Sequence, residues 1–344
     1  MSIPVSLFLC KMGKVHANEN HYHEERVAMK IGYLWVALIV LSFTSLFVGV
    51  SSLTPLDLFR MTDYQWEIMW ISRIPRLVSI LIAGVGMSVI GLIMQQLARN
   101  KFVSPTTAGT TDSASLGVLI AILLFPGASP LFKIVVAFAF ALGGTMLFMR
   151  ILNRIQFRDP ILIALVGLMF GGIVGSITTF LALKYNLLQS VNSWLFGDFS
   201  SILKGKYEML YVSLPLIALA YLYANRFTIA GMGEEFAVNL GLKYRQVVHL
   251  GLGIVALVAA VILLTVGSLP FLGLIIPNIV SLYKGDNLRS SLPHTALLGA
   301  VFVLACDILG RIIIYPYEIS IGLMVGVIGS GIFLYLLLRR KNHA

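Results

Sequence analysis

"IPRLVSILIAGVGMSVIGLIMQQLA", residues 74–98, is an apolar run whose length decides the fold class. As a helix it would rise about 37 Å, more than the roughly 30 Å hydrocarbon core of a bilayer. Similar runs recur along the 344 residues, of which 58% are hydrophobic and only 12% charged. They lack the alternation of barrel strands, and backbone groups in lipid must be satisfied internally. The sequence therefore predicts an all-α, polytopic membrane protein.

Ten apolar runs, separated by polar or helix-breaking residues, are candidate transmembrane helices. They cover residues 31–50, 74–98, 113–126, 131–149, 161–183, 207–225, 248–268, 270–283, 294–314 and 321–338. The third and eighth are short, so we expect them to be tilted or only partly inserted. Residues 1–30 are expected to be a disordered polar tail, and residues 339–344 a basic tail. Ten spans put both termini on the same side of the membrane.

The distribution of Lys and Arg predicts which side that is. Of the 25 Lys and Arg residues, 17 lie on the side of the two termini and 8 lie on the opposite side, in loops or near the ends of spans. Because cytoplasmic loops are richer in Lys and Arg, both termini are predicted to be cytoplasmic. The polar connection at residues 231–247 then also faces the cytoplasm.

Several function classes lack their sequence signatures. The chain has no GxxxxGK[ST] phosphate-binding loop, so ATP-driven work would need another subunit. HExxH, GxSxG and zinc-ligand spacings are also absent, which argues against a membrane enzyme. Cys10 and Cys306 are too far apart for a CxxC or metal-ligand spacing. The net charge of +10 does not indicate nucleic-acid binding, because its placement matters more in a membrane protein.

Two patterns lie within the apolar runs. Gly167, Gly171 and Gly175 recur every four residues, a spacing that lets helix backbones approach closely. Simple helix packing and the lining of a pathway are both open interpretations of these glycines. Asp307 and Arg311 are also four residues apart, so they can form an intramembrane ion pair. A proton-coupled transporter would usually have more buried ionisable groups than this one pair.

The segment "GMGEEFAVNLGLKYRQV", residues 231–247, is unusually polar for a connection between two apolar runs. On a helical wheel, Met232, Phe236, Leu240 and Tyr244 form one apolar stripe, and Gly241 suits a helix end. A helix this short is marginal in water and needs support. Support by the membrane surface and docking into a groove of a cytoplasmic partner are equally compatible with these residues.

Six motifs, in order along the chain, resemble the permease subunits of ABC importers for iron-siderophores and vitamin B12. They are "RIPRL" (73–77), "GLIMQQLARN" (91–100), "GEEFAVNLG" (233–241), "GSLPFLGLIIPNIV" (267–280), "DILGR" (307–311) and "YEISIG" (317–322). The similarity runs from about residue 34 to residue 338. It implies a pathway formed by two permeases, identical or paralogous, with two ATPases below them. An extracytoplasmic binding protein delivers the substrate.

The resemblance also implies roles for particular residues. "GEEFAVNLG" matches the family's coupling segment, which docks on the ATPase, here through Glu234, Glu235, Phe236, Ala237, Leu240 and Gly241. ATP and Mg²⁺ then belong to the partner ATPase, and this chain is expected to bind no cofactor or metal. Arg73, Arg76 and Arg311 match the family's docking arginines for the binding protein. A planar guanidinium pairs bidentately with carboxylates; anchoring to lipid phosphates is the alternative.

Departures from the family pattern mark further candidates. The resemblance implies that the turn after the second span is part of the cytoplasmic gate, so Asn100, Lys101 and Phe102 are gate candidates, although the family's usual "RNPLADP" is here "RNKFVSP". The fifth helix, with its three glycines, is the candidate lining of the pathway. Trp194, in "NSWLFGDFS" (192–200), is a candidate outer gate, with an interfacial aromatic anchor as the alternative. Asn278 and Ser320 replace the usual His and Pro, a pattern similar to the catecholate-siderophore branch.

The expected function is the permease half of an ATP-driven importer of ferric siderophores, with catecholates favoured. Its expected location is the bacterial cytoplasmic membrane, with a ferric siderophore in transit. Another iron chelate, haem or vitamin B12 is the alternative within the family. A secondary transporter without an ATPase is the alternative outside it.

Overall fold

The computed structural model describes residues 31–49, 62–154 and 159–341, and every regular element in these ranges is helical. In chain order the helices are α1 (Ile31–Phe47), α2 (Asp63–Leu97), α3 (Thr110–Leu124), α4 (Pro130–Arg154), α5 (Pro160–Lys184), α6 (Leu188–Leu195), α7 (Ser213–Leu222), α8 (Ala224–Gly231), α9 (Glu234–Asn239), α10 (Tyr244–Thr265), α11 (Leu272–Lys284), α12 (Leu288–Ile312) and α13 (Ile321–Lys341). A 3₁₀ turn, Tyr207–Val212, leads into α7. The all-α fold is confirmed.

Each of the ten predicted spans contains an apolar helix. Five of them, α2, α4, α5, α10 and α12, are long and apolar enough to cross a membrane. The 3₁₀ turn and α7 reach that length only together with α8, from which they are bent by 63°. Helices α1, α3 and α11 are shorter, as is the apolar stretch Ile321–Leu336 of α13, so the number of spans stays a prediction. The predicted tail at residues 1–30 lies outside the described residues, whereas α13 continues into the predicted basic tail.

Helix α2 begins at Asp63, well before the predicted start of its span. Thr62 and Gln65 form a reciprocal capping box there, in which each side chain accepts the backbone N–H of the other residue. A π turn at Met69–Arg73 then precedes Pro75, and the helix continues through that proline. Pro75 has no N–H to donate to the Ile71 carbonyl four residues earlier, and that carbonyl accepts the Lys204 N–H at 3.0 Å instead.

Helix α2 is also the centre of the bundle. The most apolar stretch of this helix is 78% buried, and the helix packs mainly against α12, α10 and α11. Gly84 lies against the Gly299 carbonyl of α12, and Gly91 packs on the backbone of Gly273 in α11. A side chain at either position would separate the helices. By contrast, the most apolar stretch of α5 is only 17% buried, so a long apolar face of α5 is not covered by the rest of the chain.

The loops lie at two ends of the bundle, and hydrogen bonds join loops at the same end. At one end, the Gln96 amide donates to the Asp286 carbonyl at 3.2 Å, and Gly231 packs on Gln96. At the other end, Lys204 N–H donates to the Ile71 carbonyl at 3.0 Å. These groups agree with the loops that the Lys and Arg count assigns to the cytoplasmic and outer sides. We therefore call them the inner end and the outer end.

Candidate functional site

The outer end contains an ionic cluster of five side chains: Arg73, Arg76, Asp307, Arg311 and Glu318. Arg76 donates from Nε and Nη2 to Oδ1 of Asp307, at 3.2 and 2.8 Å, and from Nη1 to Glu318 at 2.8 Å. Arg311 Nη2 contacts the other carboxylate oxygen of Asp307. One buried carboxylate on α12 therefore joins two arginines from different helices.

Arg73 and Arg311 extend this cluster to the end of α1. Arg311 Nη1 donates to the carbonyl oxygens of Ser45 and Val48, at 2.9 and 2.8 Å. Arg73 Nη1 contacts the same Val48 carbonyl. Both arginines are buried, so neither is presented as an open surface charge. Binding-protein docking at the three arginines stays a prediction, and in this conformation it requires the cluster to open.

The local sequence explains how these charges meet. Arg73 ends the π turn and Arg76 follows three residues later, so both leave α2 on the outer side. Asp307 and Arg311 are one helical turn apart on α12. The five charges comprise three cations and two carboxylates, which leaves an excess of one positive charge. Arg311 Nε is buried without a hydrogen-bond acceptor among the described residues.

The predicted coupling segment lies at the inner end. It forms a short helix, which does not include all four residues of the predicted apolar stripe. Helix α9 spans only Glu234–Asn239, because Gly233 and Gly241 adopt φ of 118° and 76°. Met232 and Tyr244 lie beyond these breaks, so the predicted four-residue helical stripe is wrong at both ends. Gly241 directly follows the C-cap residue Leu240, as its residue type predicts.

The side chains of α9 divide between support and exposure. Ala237 is fully buried, and its carbonyl accepts the Leu242 N–H at 2.9 Å. Phe236 and Leu240 are 51% and 58% exposed on one face, and Glu234 and Glu235 are also exposed. Five of the six predicted coupling residues are therefore accessible, whereas Ala237 holds the helix against the bundle.

The candidate gate begins with a turn that joins α2 to α5. Asn100 is buried, and its amide donates to the Pro160 carbonyl oxygen at 2.9 Å. Its side-chain oxygen accepts the Phe102 N–H, also at 2.9 Å. The Phe102 ring meets Phe333 of α13 edge-on, with ring centres 6.0 Å apart. Asn100 and Phe102 thus connect the end of α2 to two other helices.

Lys101 connects the same turn to the other side of the inner end. Its Nζ pairs with Asp286 at 2.8 Å, and both side chains are about half exposed. The Lys101 carbonyl accepts the Asn278 side-chain amide at 2.8 Å. Gly233 of the coupling segment lies next to Arg99, directly before this turn. The coupling segment and the candidate gate are therefore neighbours, although their roles stay predictions.

The three glycines of α5 face α3 and the loop before it. Gly167 and Gly171 are buried, and a methyl group at Gly167 would overlap the Thr107 carbonyl oxygen. A methyl group at Gly171 would lie 2.8 Å from the Asp112 carboxylate, and Gly175 faces the same side chain. In this structure Gly167 and Gly171 are close-packing positions, whereas a methyl group at Gly175 would have its nearest neighbour 4.0 Å away. The pathway interpretation of the three glycines stays a prediction.

The opposite face of α5 is apolar and exposed. Its exposed large side chains include Met169, Ile173 and Phe180, at 62–65%. A pathway or subunit contact on α5 would therefore involve this face, which the glycine pattern does not identify.

Trp194 lies in α6, and its side chain is outside the described residues. The following Phe196 is exposed, and Gly197 accepts the Gly322 N–H at 3.1 Å. The backbone after α6 is thus fixed to the start of α13. The outer-gate and aromatic-anchor interpretations of Trp194 both remain open.

Sequence reasoning did not assign Glu318, Asp286 or Asp112. Glu318 lies three residues before the last apolar run, on the outer side, but no local pattern pairs it with the arginines of the RxPR motif. Asp286 follows α11 and pairs with Lys101. Asp112 lies in the first turn of α3, just before the predicted start of that span. In the described part of the chain, no cation within ion-pair distance accompanies Asp112.

Comparison with known proteins gives three informative matches. The FecCD transport family matches residues 37–339. The petrobactin import system permease protein YclN of Bacillus subtilis is 66% identical over 92% of this chain and 100% of its own length. The ferric-anguibactin transport system permease protein FatD of Vibrio anguillarum is 38% identical over 88% of this chain and 97% of its own.

The fold is also similar to a solved structure, that of a metal-chelate type ABC transporter in an inward-facing conformation. The TM-score is 0.76 at 25% identity, and the match covers 90% of this chain and 98% of that one.

Proposed function

Because the chain belongs to the FecCD transport family, we propose that it forms half of the pathway of an ATP-driven importer for a ferric siderophore of the petrobactin kind. The chain is a multi-pass membrane permease of the iron-chelate ABC importers, a transport subunit and not an enzyme. The 66% identity to YclN over its whole length carries the choice of substrate. A different ferric siderophore is the alternative, since the anguibactin permease is also similar. The catecholate chemistry of the cargo stays a prediction.

An ABC importer permease works with ATPase and substrate-binding partners, and we assign the ATPase contact to α9. The exposed pair Phe236 and Leu240 offers an apolar contact, and Glu234 and Glu235 supply flanking charges. Ala237 is buried, and the helix packs against α8 and α10. Movement of an ATPase against α9 would reach Arg99 and the candidate gate through the adjacent Gly233.

The binding-protein contact is assigned to the outer-end ionic cluster. It lies at the opposite end of the bundle from α9, and it has an excess of one positive charge. A carboxylate of a partner protein would reduce that excess and pair with a planar guanidinium. A second permease copy or paralogue is assigned to the exposed face of α5, which the chain's own core leaves uncovered.

Co-purification of the ATPase tests the importer assignment. We expect Phe236→Asp and Leu240→Asp to lose the ATPase, because a charge in the centre of an apolar contact is desolvated without a partner. Val238→Asp is the matched control: Val238 is 54% exposed on the same short helix but faces away from Phe236 and Leu240. Full ATPase recovery with both test variants would refute docking through α9. Loss with all three would show that the outcome depends on helix integrity and not on this face.

A further inference from the structure

We propose that Glu318 substitutes for a carboxylate of the binding protein. It pairs with Arg76 in the undocked permease, and a carboxylate of the binding protein displaces it from Arg76 on docking. This inference rests on the proposed docking of that protein at the outer-end ionic cluster. It adds a residue, Glu318, that would set how tightly the permease binds its partner.

The two carboxylates on Arg76 are held very differently. Asp307 accepts from both Nε and Nη2, also contacts Arg311, and is 2% exposed within helix α12. Glu318 accepts only from Nη1, at 2.8 Å, and its side chain is 26% exposed in the loop before α13. Asp307 is therefore a fixed part of the cluster, whereas Glu318 contacts it from the side open to solvent.

The backbone around Glu318 is anchored independently of its carboxylate. Ile319 N–H donates to the Gly310 carbonyl at 3.0 Å, and Tyr317 N–H donates to the Ile314 carbonyl at 2.8 Å. The Glu318 side chain can thus leave Arg76 by rotation about its own bonds, while the loop keeps its position. Exchange does not require unfolding of the outer end.

Charge balance favours replacement of one carboxylate by another. Arg76 is only 14% exposed, so an empty Nη1 side would leave a partly buried guanidinium with less charge compensation. Glu318 provides that compensation in the free permease, and an incoming carboxylate provides it in the complex. Because both compete for the same donor, Glu318 must weaken docking relative to a permease that lacks its charge.

Affinity measurements on Glu318→Gln test this competition. The probe is the purified substrate-binding protein of this importer, loaded with its ferric chelate, on the permease–ATPase complex in nanodiscs. We expect Glu318→Gln to bind it about two- to fivefold more tightly, as for the loss of a partly exposed ion pair. Glu208→Gln is the control: Glu208 is also at the outer end but accepts the Gly205 N–H at 2.9 Å, and its affinity should be unchanged.

Arg76→Gln separates this inference from the docking proposal itself. It should weaken binding by more than about tenfold, because it removes the donor for which both carboxylates compete. Melting temperatures verify that each variant is folded, and Arg76→Lys replaces Arg76→Gln if the latter does not assemble. Unchanged or weaker binding by Glu318→Gln, with weakened Arg76 variants, would overturn the exchange but not the docking. Unchanged binding by the Arg76 variants would overturn the docking proposal.

Discussion

Asp307→Asn should destabilise the permease more than any other single change in the outer-end ionic cluster. Asp307 is 2% exposed and its carboxylate is shared by Arg76 and Arg311. Asparagine keeps the size of the side chain but removes the negative charge that both guanidinium groups face. Removing one partner of a buried ion pair costs about 3–5 kcal/mol. Glu318 still compensates Arg76, so we expect the lower part of that range.

This cost corresponds to a fall in melting temperature on the order of 10 °C, since each kcal/mol shifts a large domain by about 2–4 °C. The assay is thermal unfolding of the purified permease in one fixed detergent, followed by tryptophan fluorescence and by size exclusion after heating. Glu318→Gln is the comparison, because its partly exposed pair contributes only about 0–1 kcal/mol. The Asp307 variant should therefore melt well below the Glu318 variant.

A double variant identifies the cause of the loss. Asp307→Leu combined with Arg311→Met removes both charges of the ion pair within α12. Replacing a buried ion pair by apolar side chains often leaves stability unchanged. The double variant should therefore melt above Asp307→Asn, because one uncompensated charge is gone. If Asp307→Asn melted within about 2 °C of the parent protein, or together with Glu318→Gln, the assignment of Asp307 as the buried centre of the cluster would be wrong.

Two further predictions concern α5 and the inner end. Gly167→Ala should lower stability by about 1–3 kcal/mol, because the new methyl group overlaps the Thr107 carbonyl. Gly172→Ala is the control: it has open space around it and should be neutral or stabilising by up to about 1 kcal/mol. Equal melting temperatures of the two variants would refute the packing account. Lys101→Asp and Asp286→Lys should each reduce coupled uptake by placing like charges together, and the double exchange should recover it. Failure of the exchange to recover uptake would exclude this ion pair from the gate.

Much of the fold could be predicted from the sequence, because membrane helices are defined by local composition. Each apolar run contains a helix, since hydrocarbon leaves the backbone no alternative. Hydropathy does not show the start of α2, because the capping box at Thr62 and the first turns of the helix precede the apolar run. The sequence predicts only one of the two breaks around α9. Gly241 follows the apolar stripe as a typical helix end, whereas no local pattern shows the positive φ of Gly233.

The candidate site was predictable in its residues but not in their contacts. Arg73, Arg76 and Arg311 stand in recognisable motifs, yet their burial depends on how α2, α12 and the end of α1 meet. The contact of Glu318 with Arg76 joins residues far apart in the chain, which no local pattern shows. The glycines of α5 illustrate the same limit. Their spacing predicts a close approach, but only the tertiary structure shows that α3 and its preceding loop are the neighbours.

ATP-dependent uptake by the reconstituted importer tests the central claim most directly. The permease, its ATPase and its binding protein are placed in proteoliposomes, and accumulation of ferric petrobactin is compared with that of ferric citrate. The account predicts accumulation of ferric petrobactin that requires ATP and all three components, with little ferric citrate. Accumulation that is independent of ATP or of the ATPase would contradict the importer mechanism. Uptake of ferric citrate without ferric petrobactin would contradict the proposed substrate.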